Sequence, residues 1–443
     1  MRVFRPGMIF TLCLFSSLAV AAPQDRETKV RDDKKNVEAD ESWVYNDLDR
    51  GIAEAKQSGK PLLVIFRCIP CEACSKFDDQ VVRRDQQVRD LMDKFVCVRI
   101  VHANGMDLSQ FQFDYDQSFH AFFMHPDKTV YGRFGTRSHQ TDETQDMTME
   151  GFGKALAAAL ALHKEYPANK ALFSNKRGPE SPIKSPEDFP SLKGKYDSRL
   201  HYEATSVVRS CIHCHQVREA QRLVYRSQNK PIPEPTLYPY PLPSVVGMEL
   251  DSRETAVVKQ VEERSAAARA GFLAGDKIVT LAGQPMLSIA DVQWVLHNAG
   301  EQDELRAQVQ RGQKTLPLTL KLAKGWRVQS NLSWRPTTWD LRRMAAGGML
   351  LEELPDADRQ ASKLAVDKLA LRVKHVGEYG DHAVAKKAGV QKGDVIVALD
   401  GKSDPLSETG FITSVLNGKL PGEAIKLTLL RGEQRVNVTF KAQ

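Results

Sequence analysis

Seven cysteines punctuate the chain, and five of them fall in two short clusters where residue type and spacing could support chemistry. The first cluster is Arg67-Cys68-Ile69-Pro70-Cys71-Glu72-Ala73-Cys74, directly after the apolar run 62–66. A cysteine where a strand hands over to a helix lies near helix N–H groups, which stabilise its thiolate and lower its pKa. A second cysteine three residues on sits one turn further along and can resolve a mixed disulfide. Three thiols at this spacing also suit a soft metal, Cu(I) or Zn, and a structural disulfide is the blander third reading. The second cluster is Ser210-Cys211-Ile212-His213-Cys214-His215, which contains Cys-x-x-Cys-His. In haem attachment, thiols in this order form thioethers to the vinyl groups and the adjacent histidine reaches the iron. That chemistry assigns Cys211 and Cys214 to the porphyrin and His215 to the haem iron. His201, Met248 or an open position could stand opposite. A zinc half-site competes, but a closed zinc site needs further ligands, and no neighbouring Cys or His pair provides them. Cys97 falls mid-strand in 95–101 and reads as a buried, inert thiol.

The chain that carries these clusters has 443 residues, of which 42% are hydrophobic, 27% charged and 7% aromatic. One hydrophobic core rarely serves such a length, so about two to four domains are expected. The balance excludes collagen, coiled coil and a wholly disordered chain. The 62 Lys+Arg and 56 Asp+Glu leave a formal charge of +6 with the signs interspersed. No dense basic stripe results, so nucleic acid is not an expected partner. Arg2 and Arg5 precede an apolar run over 8–20 that ends in Ala21-Ala22 before Pro23. A basic start, a short apolar stretch and small residues at the exit predict a signal peptide over 1–22, which takes Cys13 with it. The run is short for a bilayer span. The mature chain is therefore expected to be exported, periplasmic and without a transmembrane segment, where thioether and disulfide chemistry is permitted.

Four unequal parts must position the clusters. Residues 23–41 are almost all polar and charged and predict a flexible lead-in. Residues 42–166 alternate strand and helix patterns, which predicts an α/β domain. Residues 167–243 carry eleven prolines and predict a stiff connector, short and helical around the second cysteine cluster, that builds no large core. The rest repeats itself. Ala270-Gly271 to Gly275-Asp276-Lys277-Ile278 matches Ala388-Gly389 to Gly393-Asp394-Val395-Ile396, displaced by 118 residues. Arg311-Gly312 is echoed by Arg431-Gly432. Two homologous β domains, 244–325 and 361–443, follow, joined by a tryptophan-containing connector over 326–360. Trp326, Trp334 and Trp339 are expected to pack between them.

The first cluster and its setting resemble a thioredoxin-like domain, of the subgroup with Gly-Lys-Pro before the strand. The resemblance implies that Cys71 is the exposed nucleophile and Cys74 the resolving thiol, with Cys68 a third redox partner. The family's cis-proline is missing, since its place near Phe119-His120 holds no proline. Cys-x-x-Cys-His resembles the haem motif of c-type cytochromes and implies haem c. The repeated Gly-Asp turn and Arg-Gly hairpin resemble bacterial PDZ domains, which are partly open β-barrels. Such domains add a peptide to a sheet edge and capture its carboxylate with backbone N–H groups. The resemblance places that loop on Val246, Gly247 and Met248 in the first repeat, and near Lys368-Leu369-Ala370-Leu371, without a glycine, in the second. The whole order resembles a family of exported bacterial thioredoxin-like/PDZ (seleno)proteins.

These readings imply an exported redox protein. Thiol-disulfide exchange would be coupled to a c-type haem, and the PDZ domains would recruit a protein or peptide client. The alternative is a non-enzymatic PDZ scaffold or soft-metal carrier that holds Cu(I) or Zn at Cys68, Cys71 and Cys74. A PDZ-linked protease finds no hydrolase signature in the chain.

Overall fold

The computed structural model describes residues 25–71, 74–83, 85–139 and 145–443. The expected signal peptide lies outside the described residues. After helix α1 (Arg26–Glu38), the α/β domain runs β1 (Trp43–Tyr45), α2 (Leu48–Ser58), β2 (Leu62–Arg67), α3 (Ser75–Val82), α4 (Gln86–Met92), β3 (Val96–Ile100), β4 (Phe119–Met124), β5 (Val130–Phe134) and α5 (Met149–Lys164). Its sheet has the order β1-β3-β2-β4-β5, parallel in the first three strands and antiparallel in the last two. Every residue of β2 is buried, because a central strand covered on both faces needs no polar side. Leu63 and Ile65 meet Trp43, Phe77 and Phe152 on one face. Leu62, Val64 and Phe66 meet Phe111, Phe113 and Phe122 on the other.

Two expectations for the flanks are corrected. The charged lead-in is helical, not flexible. Asp25 caps the N–H groups of Glu27 and Thr28, and Glu27–Arg31 and Lys34–Glu38 pair at i,i+4 spacing. Val30 and Val37 are buried, and Asp33 reaches Arg99 of β3 at 2.8 Å. The proline-rich stretch, expected to build no large core, is built into four, Phe173 joining the first face of the α/β sheet. Phe189, Leu192, Ile212, Cys214 and Val217 complete the second face of the α/β sheet. Ile232, Leu237 and Tyr238 enter the C-terminal core, and Tyr240 enters the core between them in sequence. Its helices are α6 (Cys214–Ser227) and α7 (Glu234–Leu237).

The first β module follows as β6 (Met248–Leu250), β7 (Val258–Val261), α8 (Ala266–Ala270), β8 (Lys277–Leu281), β9 (Gln284–Pro285), α9 (Ile289–Asn298), β10 (Asp303–Arg311) and β11 (Lys314–Leu322). The second comprises α10 (Thr338–Ala346), β12 (Met349–Glu353), α11 (Asp356–Ala361), β13 (Leu371–Val376), α12 (Val384–Lys387), β14 (Val395–Leu399), α13 (Glu408–Gly418), β15 (Ala424–Arg431) and β16 (Gln434–Lys441). The sequence repeat becomes a geometric one. Arg311 grips Asp276 at 2.6 Å and donates to the Gly271 carbonyl, while Arg431 grips Asp394 at 2.8 Å and donates to the Gly389 carbonyl. The boundary expected at residue 361 moves, because β12 is the edge strand of the five-stranded sheet β12-β13-β14-β15-β16. A strand needs a ladder partner, and Met349 finds Val376.

Buried polar contacts lock the parts together. Arg335 of the connector lies 2.7 Å from Asp114 and 2.9 Å from Asp116 of the α/β domain. Lys176 meets Asp291 of α9 at 2.7 Å with both side chains buried. Of the connector tryptophans, Trp326 and Trp334 are buried as expected, whereas Trp339 is 37% exposed.

Candidate thiol site

The chain leaves β2 at Arg67, and Cys68 is the first residue beyond the strand. Its N–H donates to the Ser118 carbonyl (2.9 Å), just ahead of β4, and Cys71 N–H donates back to the Cys68 carbonyl (3.1 Å). This turn over Ile69-Pro70 brings the Cys68 and Cys71 sulfurs to 2.9 Å. Arg67 holds it from below: its guanidinium donates to the carbonyls of Cys68, Cys71 (2.9 Å) and Ser118 (3.2 Å). The same side chain pairs with buried Asp78 at 3.0 Å, which Arg99 also holds at 2.7 Å.

The two thiols are unequal. Cys71 is half-buried and opens onto a cleft of about 660 Å³ between α1 and α3, rimmed by Lys29, Asp32, Asp79 and Arg83. The Cys68 hydrogen bond, then the Arg67 and Arg137 charges, bring the Cys71 pKa down to about 7 against the effect of burial. Cys68 is pushed well above the ordinary thiol value by its bond to Cys71 and by burial. The arrangement is a thiolate stabilised by a neighbouring thiol donor, the chemistry of an attacking sulfur with a resolving one.

The sulfur in contact with Cys71 is that of Cys68, whereas the expected redox pair was Cys71 with Cys74. Cys74 forms the N-cap of α3 at φ +64°. Its side chain is buried in the apolar core with Phe77 and Phe119. The signal that identifies the pair is distance from the strand end, since only Cys68 and Cys71 share the turn before α3. Cys97 is buried in β3 as expected. Among the described residues no three His, Cys, Asp or Glu side chains are grouped to hold a metal ion.

The second cluster docks on the first. Ile212 is fully buried in the α/β core. Its carbonyl accepts from Ala103 N–H (2.8 Å), and its N–H donates to the Asn104 side chain (2.8 Å). His213 Nδ1 lies 3.4 Å from the Cys68 sulfur, a contact that no sequence pattern signalled. Cys211 and Cys214 are 5% and 9% exposed, and burial, with the nearby thiols, pushes both up to about 12. His215 stacks on His213 at 5.3 Å. The void shared by Cys68, His213 and Cys214 holds about 10 Å³. Pockets for far smaller ligands run to several hundred Å³. On the side that Cys214 shares with Cys68 there is thus no room for a haem.

The residues expected to form the peptide loop lead into β6. Gly247 takes φ +78°, and a Cβ there would lie 2.1 Å from Ser265, so glycine is required. Val246 and Met248, however, turn their side chains into the core, and the N–H groups of Val245 and Gly247 close the turn on Leu242 and Ser244. In the second module the matching loop is Gly347-Gly348-Met349. Gly348 accepts from Gly377 as Gly247 accepts from Glu262. The stretch expected there, Lys368 to Leu371, instead leads into β13. Beside Gly247 lies a cleft of about 670 Å³ lined by Arg264, Arg269, Lys324, Trp326 and Trp334, with Ser138 and His139 of the α/β domain on its rim.

A family model described as thioredoxin-like matches residues 43–126, and one for the PDZ domain matches residues 244–322. The chain is 24% identical over 192 residues to a probable periplasmic serine endoprotease DegP-like of Pseudomonas fluorescens, across 43% of this chain and 38% of that protein. It is 39% identical over 57 residues to a putative serine protease HhoA of Synechocystis, across 13% of this chain and 14% of that protein. Against the solved structure of an HtrA-type protease AlgW with decapeptide, the TM-score is 0.19 at 17% identity, over 31% of this chain and 48% of that one. The chain spans well under half the length of the curated relatives it matches. It carries a thioredoxin-like domain and a PDZ domain.

Proposed function

We propose that the protein is an exported thiol-disulfide oxidoreductase whose PDZ domain brings in a protein client. The carrying observation is the Cys68–Cys71 sulfur pair, 2.9 Å apart on a turn gripped by Arg67. Cys71 attacks a client disulfide; Cys68 then attacks the Cys71 sulfur, releases the reduced client and closes the Cys68–Cys71 disulfide. The cleft beside Gly247 suits a client segment, because Arg264, Arg269 and Lys324 outnumber Glu262 and Glu263 on its lining and complement a carboxylate, and its tryptophans complement an apolar residue. The loop 137–139 links the two places: Arg137 acts on Cys71, and Ser138 and His139 rim the cleft. The DegP-like relative is described as periplasmic, and the export expected from 1–22 fits that setting. No described helix is long and apolar enough to cross a membrane. Haem coupling and the soft-metal carrier form no part of this reading. Insulin disulfide reduction by the mature chain tests it: Cys71→Ser should abolish turnover, and unchanged turnover overturns the proposal.

A further inference from the structure

The packing of the second cysteine cluster raises a question that the client reaction leaves open. Cys211 and Cys214 are buried, so no client reaches them directly. They are not isolated from chemistry, because Cys214 and His213 line the same small void as Cys68. The Ile212 backbone, pinned by Ala103 and Asn104, fixes the pair there. Cys71 lines the open cleft between α1 and α3. Client, Cys71, Cys68 and the Cys211/Cys214 pair thus form a series running from surface to interior.

We infer that Cys211 and Cys214 are a second redox-active dithiol, which exchanges electrons with clients only through Cys68 and Cys71. The inference rests on the reading of Cys68/Cys71 as a redox pair. Once a client has been reduced, the outer pair is a Cys68–Cys71 disulfide. Cys214 gives up its proton and attacks the Cys68 sulfur, so the Cys68–Cys214 bond forms and the Cys68–Cys71 bond breaks. Cys71 leaves as a thiolate and takes up a proton. Cys211 loses its proton and attacks the Cys214 sulfur, closing Cys211–Cys214, and Cys68 leaves and is protonated. Two electrons and two protons pass from the inner pair to the outer one. His213 Nδ1, 3.4 Å from the Cys68 sulfur, is placed to carry the proton at that step. The reverse sequence lets a reduced outer pair recharge the inner one.

The mature double variant C71A/C211A leaves Cys68 and Cys214 as the only members of the series. Mild oxidation with diamide, thiol blocking and peptide mass analysis should find a Cys68–Cys214 disulfide in most chains. Recovery of Cys214 as a blocked free thiol overturns the inference. A wild-type control guards against misfolding of the variant. One oxidising equivalent added to the fully reduced chain should distribute disulfide over both Cys68/Cys71 and Cys211/Cys214. Oxidation confined to Cys68/Cys71 overturns the relay while leaving the oxidoreductase reading intact, and unreactive Cys71 defeats both. A haem mass on Cys211 and Cys214 in chain from a haem-attaching host also overturns it.

Discussion

At the scale of residues, the proposed function turns on which of two sulfurs holds the negative charge. Cys71 has the Cys68 hydrogen bond and the Arg67 and Arg137 charges on its side. Cys68 has burial against it. With a pKa of about 7, Cys71 is about half thiolate at neutral pH, where an ordinary cysteine near 8.5 is thiolate in a few per cent of molecules. Iodoacetamide labelling of Cys71 should therefore rise with pH to a midpoint near 7. Removing the donor in Cys68→Ala should move that midpoint up, because the thiolate loses its hydrogen bond. A midpoint that stays put would show that the arginines alone set the reactivity. The place of the cysteine cluster, directly after an apolar strand, was legible in the sequence. The contact of Cys71 with Cys68 was not, because it depends on where β2 ends and which residue caps α3. A shift of one strand residue decides that.

At the scale of elements, the Gly-Asp turns were readable because each is local: Asp276 and Asp394 bind N–H groups three residues upstream. Docking of the Cys-x-x-Cys-His segment was not readable, since its anchors at Ala103 and Asn104 lie over a hundred residues away and leave no periodic trace. Ile212 is the plug of that docking. Ile212→Ala should lower stability by about 2–5 kcal/mol, as large-to-small changes in packed cores do, measured as a shift in the denaturant midpoint. It should also speed alkylation of Cys211 and Cys214 in the native chain, which an equally destabilising change in the second β module, Phe411→Ala, should not. In that module the edge of β12 is already occupied: Leu351 N–H donates to Glu408 of α13 at 2.8 Å, and Arg342 of α10 holds Glu408 at 2.7 Å. A peptide adding to this edge must displace an ion pair. Titration with a peptide that binds the chain should accordingly be weakened by Gly247→Val, which collides with Ser265, and hardly at all by Gly348→Val if the fold survives. Equal loss at both glycines would place a client on the second module as well.

At the scale of the whole molecule, the connector's Arg335 joins the α/β domain to the C-terminal half. Its guanidinium lies between Asp114 and Asp116, and all three side chains are buried. It also donates to the Pro239 carbonyl at 2.6 Å, so one side chain ties the sheet domain, the proline-rich segment and the C-terminal half. Burial pushes Asp114 up. Asp116 is held far below the usual carboxylate range against burial, with Arg335 the leading cation and Arg222 and Arg218 behind it. Arg335→Ala strands two carboxylates in the interior, a loss of about 3–5 kcal/mol by analogy with broken buried pairs. The pH dependence follows from the direction of the Asp116 shift. A carboxyl whose folded pKa is depressed adds stability above its unfolded value near 3.9, and that stability is lost as pH falls through the folded value. Without Arg335 both carboxyls titrate higher, so lowering the pH towards 4 neutralises the stranded charge in the variant, while Asp116 of the parent, with its depressed pKa, stays ionised and paired. Denaturant midpoints of parent and Arg335→Ala should therefore lie far apart at pH 7 and converge as the pH is lowered towards 4. A gap that is constant with pH would assign the loss to packing, and the domains would then be held together by shape more than by this charge.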